Sequence, residues 1–171
     1  MTVLPDVLEP GLTVVFCGTA VGATSAQVRA YYAGRGNQFW EVLFRTGLTP
    51  RKLNPHEFRT LPKYGIGLTD LAKIRSGSDK AILSSDFDIP RFCSKIKRFT
   101  PKMVAFNGKA SAITFFGYSV DYGGPKRDER IGETVVFVLP STSAAARKYW
   151  GESHWRKLAD FVDKRHRLNQ R

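Results

Sequence analysis

Short apolar runs alternate along this chain with segments of helical periodicity, and each run ends in a cluster of small residues. Thr13-Val-Val-Phe-Cys17 meets Gly18, the run from Lys102 to Phe106 meets Asn107-Gly108, and Thr134 to Leu139 stops at Pro140 before Ser141-Thr142-Ser143. Unbroken apolar runs of this length suit strands buried on both faces, as in a parallel sheet. Between them, Asn37 is placed to cap a helix over Gln38 to Thr46, with Phe39, Trp40, Leu43 and Phe44 on one face and Gly47 at the C′ position. Asp88, with Pro90 just inside, opens a second helix whose Phe92, Ile96 and Phe99 keep helical spacing. A short helix runs from Asn107-Gly108 towards Gly117, and a last one starts near Ser153 and carries Trp155, Leu158, Ala159 and Val162. The stretch from Pro50 to Ser85 reads as irregular. Strand, helix, strand, helix, strand, helix predicts an α/β fold: one domain over 1–171, a three-layer α/β/α sandwich with a mainly parallel central sheet. Ligands collect at the carboxyl ends of such strands, so the three small-residue loops are expected to converge on one crevice.

The charge balance says what that crevice meets. Lys and Arg number 27 against 15 Asp and Glu, a formal net charge of +12. A polyanionic partner follows, nucleic acid ahead of a membrane surface or an acidic protein. Cys17 and Cys93 have no spacing partner and His56, His154 and His166 have no ligand spacing, so no metal site is expected. The first residues lack a basic segment followed by a long apolar run, and no stretch has the ~18 apolar residues of a membrane helix. A cytoplasmic protein without a membrane partner is the expectation.

The loops themselves are chemically suggestive. In Phe16-Cys-Gly-Thr-Ala-Val-Gly22, the glycines let the backbone turn sharply and aim N–H groups at an anion or a carbonyl oxygen. The spacing is neither the dinucleotide fingerprint nor a P-loop. Tyr31-Tyr32 follow, and a tyrosine beside such a nest either plugs the core or stacks on a planar base. Ser141, Thr142 and Ser143 have little bulk and many donors, and Arg147 and Lys148 add charge, which suits a phosphate backbone as well as an ordinary Ser-rich turn.

These segments, taken in order as G-T-A-V-G-A-T-S-A, Y-Y-A-G-R-G-N-Q-F-W, L-P-K-Y-G-I-G-L-T-D-L, V-A-F-N-G-K-A and L-P-S-T-S-A, resemble the mismatch-specific uracil/thymine-DNA glycosylases of the uracil-DNA glycosylase superfamily. The resemblance runs from residue 13 to about 162. The loop from Tyr31 to Trp40 and the L-P-S-T-S signature also resemble the hypoxanthine-DNA glycosylase branch. It implies a monomeric enzyme that flips a deaminated base out of DNA and cuts its N-glycosidic bond without metal or cofactor. It further implies that Thr19, Ala20, Val21 and Gly22 face the base carbonyls, that Tyr32 stacks on the flipped base, that Asn107 reads its polar edge, and that Ser141, Thr142, Ser143, Ala144, Ala145, Arg147 and Lys148 meet the DNA.

Two departures matter. Where the mismatch-specific enzymes carry a water-positioning asparagine this chain has Ala20, which leaves Asn37 and then Asp70 as the catalytic candidates. Asn37 as a helix cap only, and Asp70 as a solvated or capping carboxylate, are the plain alternatives. Where the family places a bulky residue that fills the duplex gap this chain has Ala145, so either Arg147 or Tyr149 fills it or the unstacking is less complete, which would favour mispaired or single-stranded substrates. A non-catalytic DNA-damage binder with a degenerate site, and a basic nucleotide- or RNA-binding module, stay open on these residues.

Overall fold

The structure, a computed structural model, describes residues 1–168, leaving aside the side chains at 127 and at 165–168, His166 among them. Five strands form one sheet: β1 (Val14–Val21), β2 (Ile66–Ser76), β3 (Met103–Asn107), β4 (Gly123–Ile131) and β5 (Thr134–Leu139). Their order is β2-β1-β3-β5-β4. The first four in that order run parallel, and β4 is antiparallel to β5 at the edge. Five α-helices accompany them: α1 (Ala23–Val28), α2 (Phe39–Arg45), α3 (Ile89–Phe99), α4 (Lys109–Phe116) and α5 (Glu152–Leu168).

Alternation along the central strands builds two cores, because successive side chains point to opposite faces. Val14, Phe16, Met103, Ala105, Val135 and Phe137 face α2 and α5, packing on Phe39, Leu43, Trp155 and Leu158. Val15, Cys17, Val104, Phe106, Val136 and Val138 face α3 and α4, packing on Phe92, Ile96 and Ala112. The unbroken apolar runs therefore mean burial on both sides. α2 ends as its sequence suggests, with Gly47 in the left-handed region (φ +77°), and Asp88 caps α3 by accepting the Arg91 N–H at 3.0 Å.

Two expectations about the fold are corrected, and one strand is added. The stretch from Pro50 to Ser85 is not irregular: it holds a 3₁₀ segment (Pro55–Tyr64) and then β2, which pairs with β1 along its length. β2 does not read as a strand because its polar members are buried by neighbours distant in sequence. The N-terminal segment lies antiparallel on its outer side, with Val7 and Leu68 exchanging both backbone hydrogen bonds. Gly67 permits this approach, since a Cβ there would stand 2.5 Å from the Val7 carbonyl oxygen. β4, Gly-Gly-Pro-Lys-Arg-Asp-Glu-Arg-Ile, is charged because it is an edge strand, where charge discourages further pairing. Finally, β1 does not stop at Gly18 but continues to Val21, so the expected loop at 18–21 is strand, and Gly22 is the N-cap of α1.

Candidate functional site

That extension of β1 creates the site. β1 pairs with β3 only from Val14 to Cys17, while on its other side it stays paired with β2 as far as Val21. From Gly18 on, the edge that faced β3 looks into a cleft of about 680 Å³, walled by Gly18 to Ser25, Tyr31, Tyr32, Asn37, Asn107 and Gly108, and by Ser141 with Ser143 to Ala146. The three small-residue loops do converge there. The wall also includes parts the sequence did not single out: Arg35, Gly77 to Asp79, Lys109 and Tyr122. Gly77 to Asp79 belong because β2 follows β1 to its end, where the Gly77 N–H donates to the Val21 carbonyl at 2.9 Å. With β2 unread, nothing in the sequence pointed to them.

Tyr32 sits on this wall at φ +52°, a left-handed conformation that costs a non-glycine residue about 1–3 kcal/mol and needs support from its surroundings. Its ring lies against Phe39, with centroids 4.0 Å apart and planes 26° from parallel. Phe39 meets Phe16 edge-on, and Phe16 stacks on Trp155, so aromatic packing runs unbroken from the core to the cleft. The Tyr32 hydroxyl is buried without a hydrogen-bond partner. Burial and the nearby Asp70 raise the phenol's pKa well above its ordinary value, against a lowering influence from Asn107.

Asn107, at the end of β3, is buried and both ends of its amide are engaged by Thr142: Nδ2 donates to Thr142 Oγ1 at 2.9 Å, and Oδ1 accepts the Thr142 N–H at 3.0 Å. Each end keeps one further site, a second N–H and a second lone pair. Thr142 also accepts the Gln38 N–H through its carbonyl at 2.9 Å. At 1% exposure, with hydroxyl, N–H and carbonyl all used internally, Thr142 is not a phosphate contact as expected but the peg that joins the loops after β3 and β5 to the start of α2.

Asn37 is shared between roles. Its Oδ1 accepts the Phe39 N–H at 3.0 Å, capping α2 from one residue before the N-cap Gln38, and the residue also lines the cleft. Asp70 is neither solvated nor a cap. It lies in β2 opposite Gly18, 2% exposed, and does not reach the cleft wall. Gly18 separates it from the cleft, and a Cβ there would stand 2.7 Å from Asp70 Oδ1, so any side chain at this position would displace the carboxylate. Burial pushes the Asp70 carboxyl up to about 6, although Lys73, 3.8 Å from Oδ2, pulls the other way. Asp6 is also pressed upward by burial, but its ion pairs with Lys73 (2.8 Å) and Lys95 (2.6 Å) outweigh this and hold it below the usual range. Among the described residues, Asp79 is the carboxylate that lines the cleft.

The residues after Ser143 form a 3₁₀ segment (Ala144–Tyr149), whose start is capped by Ser143 Oγ accepting the Ala145 N–H. Ala144 and Ala145 line the cleft, and Tyr149 stands at it 61% exposed. Arg147 does not line it. It reaches the Gly36 carbonyl at 3.4 Å and borders a second hollow beyond the segment from Tyr32 to Asn37, along with Trp40, Arg45 and Lys52. Lys148 lines neither, and its ammonium lies 4.8 Å from the centre of the Tyr149 ring. Among the described residues no group of three or more His, Cys, Asp or Glu could hold a metal ion, and no helix is long and apolar enough to cross a membrane.

Fold and cleft together define a mostly parallel α/β protein with a cleft at the carboxyl ends of its strands, where a backbone edge left unpaired by β3 lies beside an aromatic ring. The family follows from the chain itself. The model of the Uracil DNA glycosylase superfamily matches residues 5–163, and the protein belongs to that superfamily, whose members are DNA glycosylases. Among solved structures, the chain is similar to the solution NMR structure of a Methanosarcina acetivorans protein described as a candidate uracil DNA glycosylase. That likeness has a TM-score of 0.64 at 21% identity over 94% of this chain and 96% of that one, and it bears on the fold.

Proposed function

We propose that this protein excises deaminated bases from DNA, uracil first and hypoxanthine or xanthine as further substrates, as the opening step of base excision repair. The observation that carries this reading is the edge of β1 from Gly18 to Val21, which leaves β3 and turns its backbone to the cleft beside the Tyr32 ring. A flipped base stacks on that ring while strand N–H groups meet its carbonyl oxygens. In the reaction the C1′–N bond breaks with its electron pair going to the base, and the N–H groups hold the negative charge that grows on the carbonyls. A water oxygen bonds to C1′, and the proton it loses to solvent balances the one that the departing base anion takes up. Asn37 is the residue assigned to hold that water: its Oδ1 is anchored by the Phe39 N–H, so the amide is fixed in orientation where it borders the cleft. Asn107, held by Thr142, keeps one donor and one acceptor for the base edge. Limited side-chain reading of this kind supports a broad substrate range.

A non-catalytic damage binder is the second reading, and Ala20 favours it, since no side chain there can activate water. Release of free base under single-turnover conditions separates the two. Oligonucleotides carrying uracil, a thymine mispair, hypoxanthine or xanthine, single- and double-stranded, are the substrates. Base release from uracil DNA supports the enzyme. Tight binding of the same DNA with no release supports the binder.

A further inference from the structure

The Tyr32 backbone is in a costly conformation, and its ring is held by the stack on Phe39 and a tilted contact with Tyr31, with centroids 6.1 Å apart. Two buried polar atoms near it lack hydrogen bonds: the Tyr32 hydroxyl oxygen and Asp70 Oδ2. Both side chains border one small space. An ideal Cβ on Gly18 would lie 2.7 Å from Asp70 Oδ1 and 3.6 Å from the Tyr32 hydroxyl, so the absence of a side chain at Gly18 leaves Oδ1 and the phenol on two sides of one gap behind the cleft, with Oδ2 turned toward Lys73 at 3.8 Å and Asn107 the other polar group near the phenol.

We infer that Asp70 is a positioning residue for Tyr32: its ionised carboxylate receives the phenol hydrogen and fixes the ring in its base-stacking position, and proton uptake by Asp70 releases it. A charged acceptor forms the stronger, shorter hydrogen bond, so the ionised state is the one that holds the ring. The inference rests on the proposed base-stacking role of Tyr32. Asp70 does not meet the reacting atoms, because Gly18 stands between it and the cleft. Burial acts most strongly on its protonation, followed by Lys73 on β2, Asp6 on the N-terminal segment, Lys95 on α3 and Tyr31 on the segment after α1, while Asp70 in turn raises the pKa of Cys17 on β1 and of Tyr32. The two lysines and the Tyr31 hydroxyl favour the ionised form, and burial and Asp6 oppose it.

Two measurements test this. Tyrosine ring-labelled protein followed by NMR between pH 5 and 8, with Tyr32 assigned through Tyr32→Phe, should show the Tyr32 signal moving with a single midpoint near 6 in the wild type and not moving in Asp70→Asn. Single-turnover excision should fall about fivefold from pH 6 to pH 5 in the wild type, as for one essential ionisation with a midpoint near 6. Asp70→Asn should be slower at pH 7.5 and flat across that range, and Tyr32→Phe should be flat as well, with the double variant no slower than the slower single one. A Tyr32 signal that does not titrate in the wild type, or that still titrates in Asp70→Asn, overturns the inference. So does an acid limb that survives in Asp70→Asn. If the NMR result is as expected but no base is released from any substrate, the proposed enzymatic function falls while the Asp70–Tyr32 coupling stands.

Discussion

At the scale of single residues, Asn37 and Asp70 show how one polar side chain serves packing and chemistry in different proportions. Asn37→Ala should lower single-turnover excision by roughly 10²-fold, the scale for losing a group that positions a reactant, and should cost about 1 kcal/mol of stability for the lost cap on Phe39. Asn37→Asp keeps a capping oxygen, so it should recover the melting temperature, and comparing the two variants' rates isolates the amide's part in the reaction. Asp70 makes an opposite kind of prediction. Its folded pKa of about 6 lies above the ~3.9 of an unfolded aspartate, so the folded state binds the extra proton between those values. The stability that Asp70 contributes is therefore full below about pH 4 and is lost as pH rises through about 6, by an amount on the order of 3 kcal/mol. Asp70→Asn should thus gain in melting temperature relative to the wild type between pH 4 and pH 7.5. A difference in melting temperature that stays constant across that range would mean that the carboxylate is not held at the raised value.

At the scale of elements, the 3₁₀ segment Ala144–Tyr149 is the piece whose role is set by charge and exposure together. Arg147 and Lys148 are both exposed, and neither is committed to an internal ion pair: one reaches a backbone carbonyl and the other lies over a ring. Replacing both with Ala should weaken DNA binding across sequences and flatten the dependence of log K on log salt by about one to two units. Binding titrations at several salt concentrations read this directly, and an unchanged slope would turn this segment away from the DNA. The same element shows why the gap-filling residue was unreadable beforehand. Ala145 does line the cleft, but only the folded segment shows Arg147 drawn toward Gly36 and Tyr149 left exposed at the cleft.

At the scale of the whole molecule, the cleft exists because strand ends of unequal length are pinned together, and Thr142 is the pin. Thr142→Val keeps the shape and the backbone hydrogen bonds but leaves the Asn107 Nδ2 group without its partner in a buried place, which costs about 1–3 kcal/mol. The melting temperature should fall by several degrees, and excision should suffer more than DNA affinity, since the base-facing edge of Asn107 loses its anchor. Equal thermal stability of the variant would assign the anchoring to the backbone pair alone. Features that depend on near neighbours were legible in the amino-acid order: the apolar runs of β1, β3 and β5, the faces of α2, α3 and α5, their caps, and the convergence of three small-residue loops at one end of a parallel sheet. Its motifs also carried the superfamily. Features that depend on partners far apart in the chain emerged only on folding: β2 is a strand because it pairs with β1 and Val7, Thr142 is a buried peg and not a surface hydroxyl, and Asp70 lies behind Gly18 in a field made by Asp6, Lys73 and Lys95. Local periodicity reports whether a residue will be buried, but the hydrogen bonds and charges that await it there are supplied by the rest of the fold.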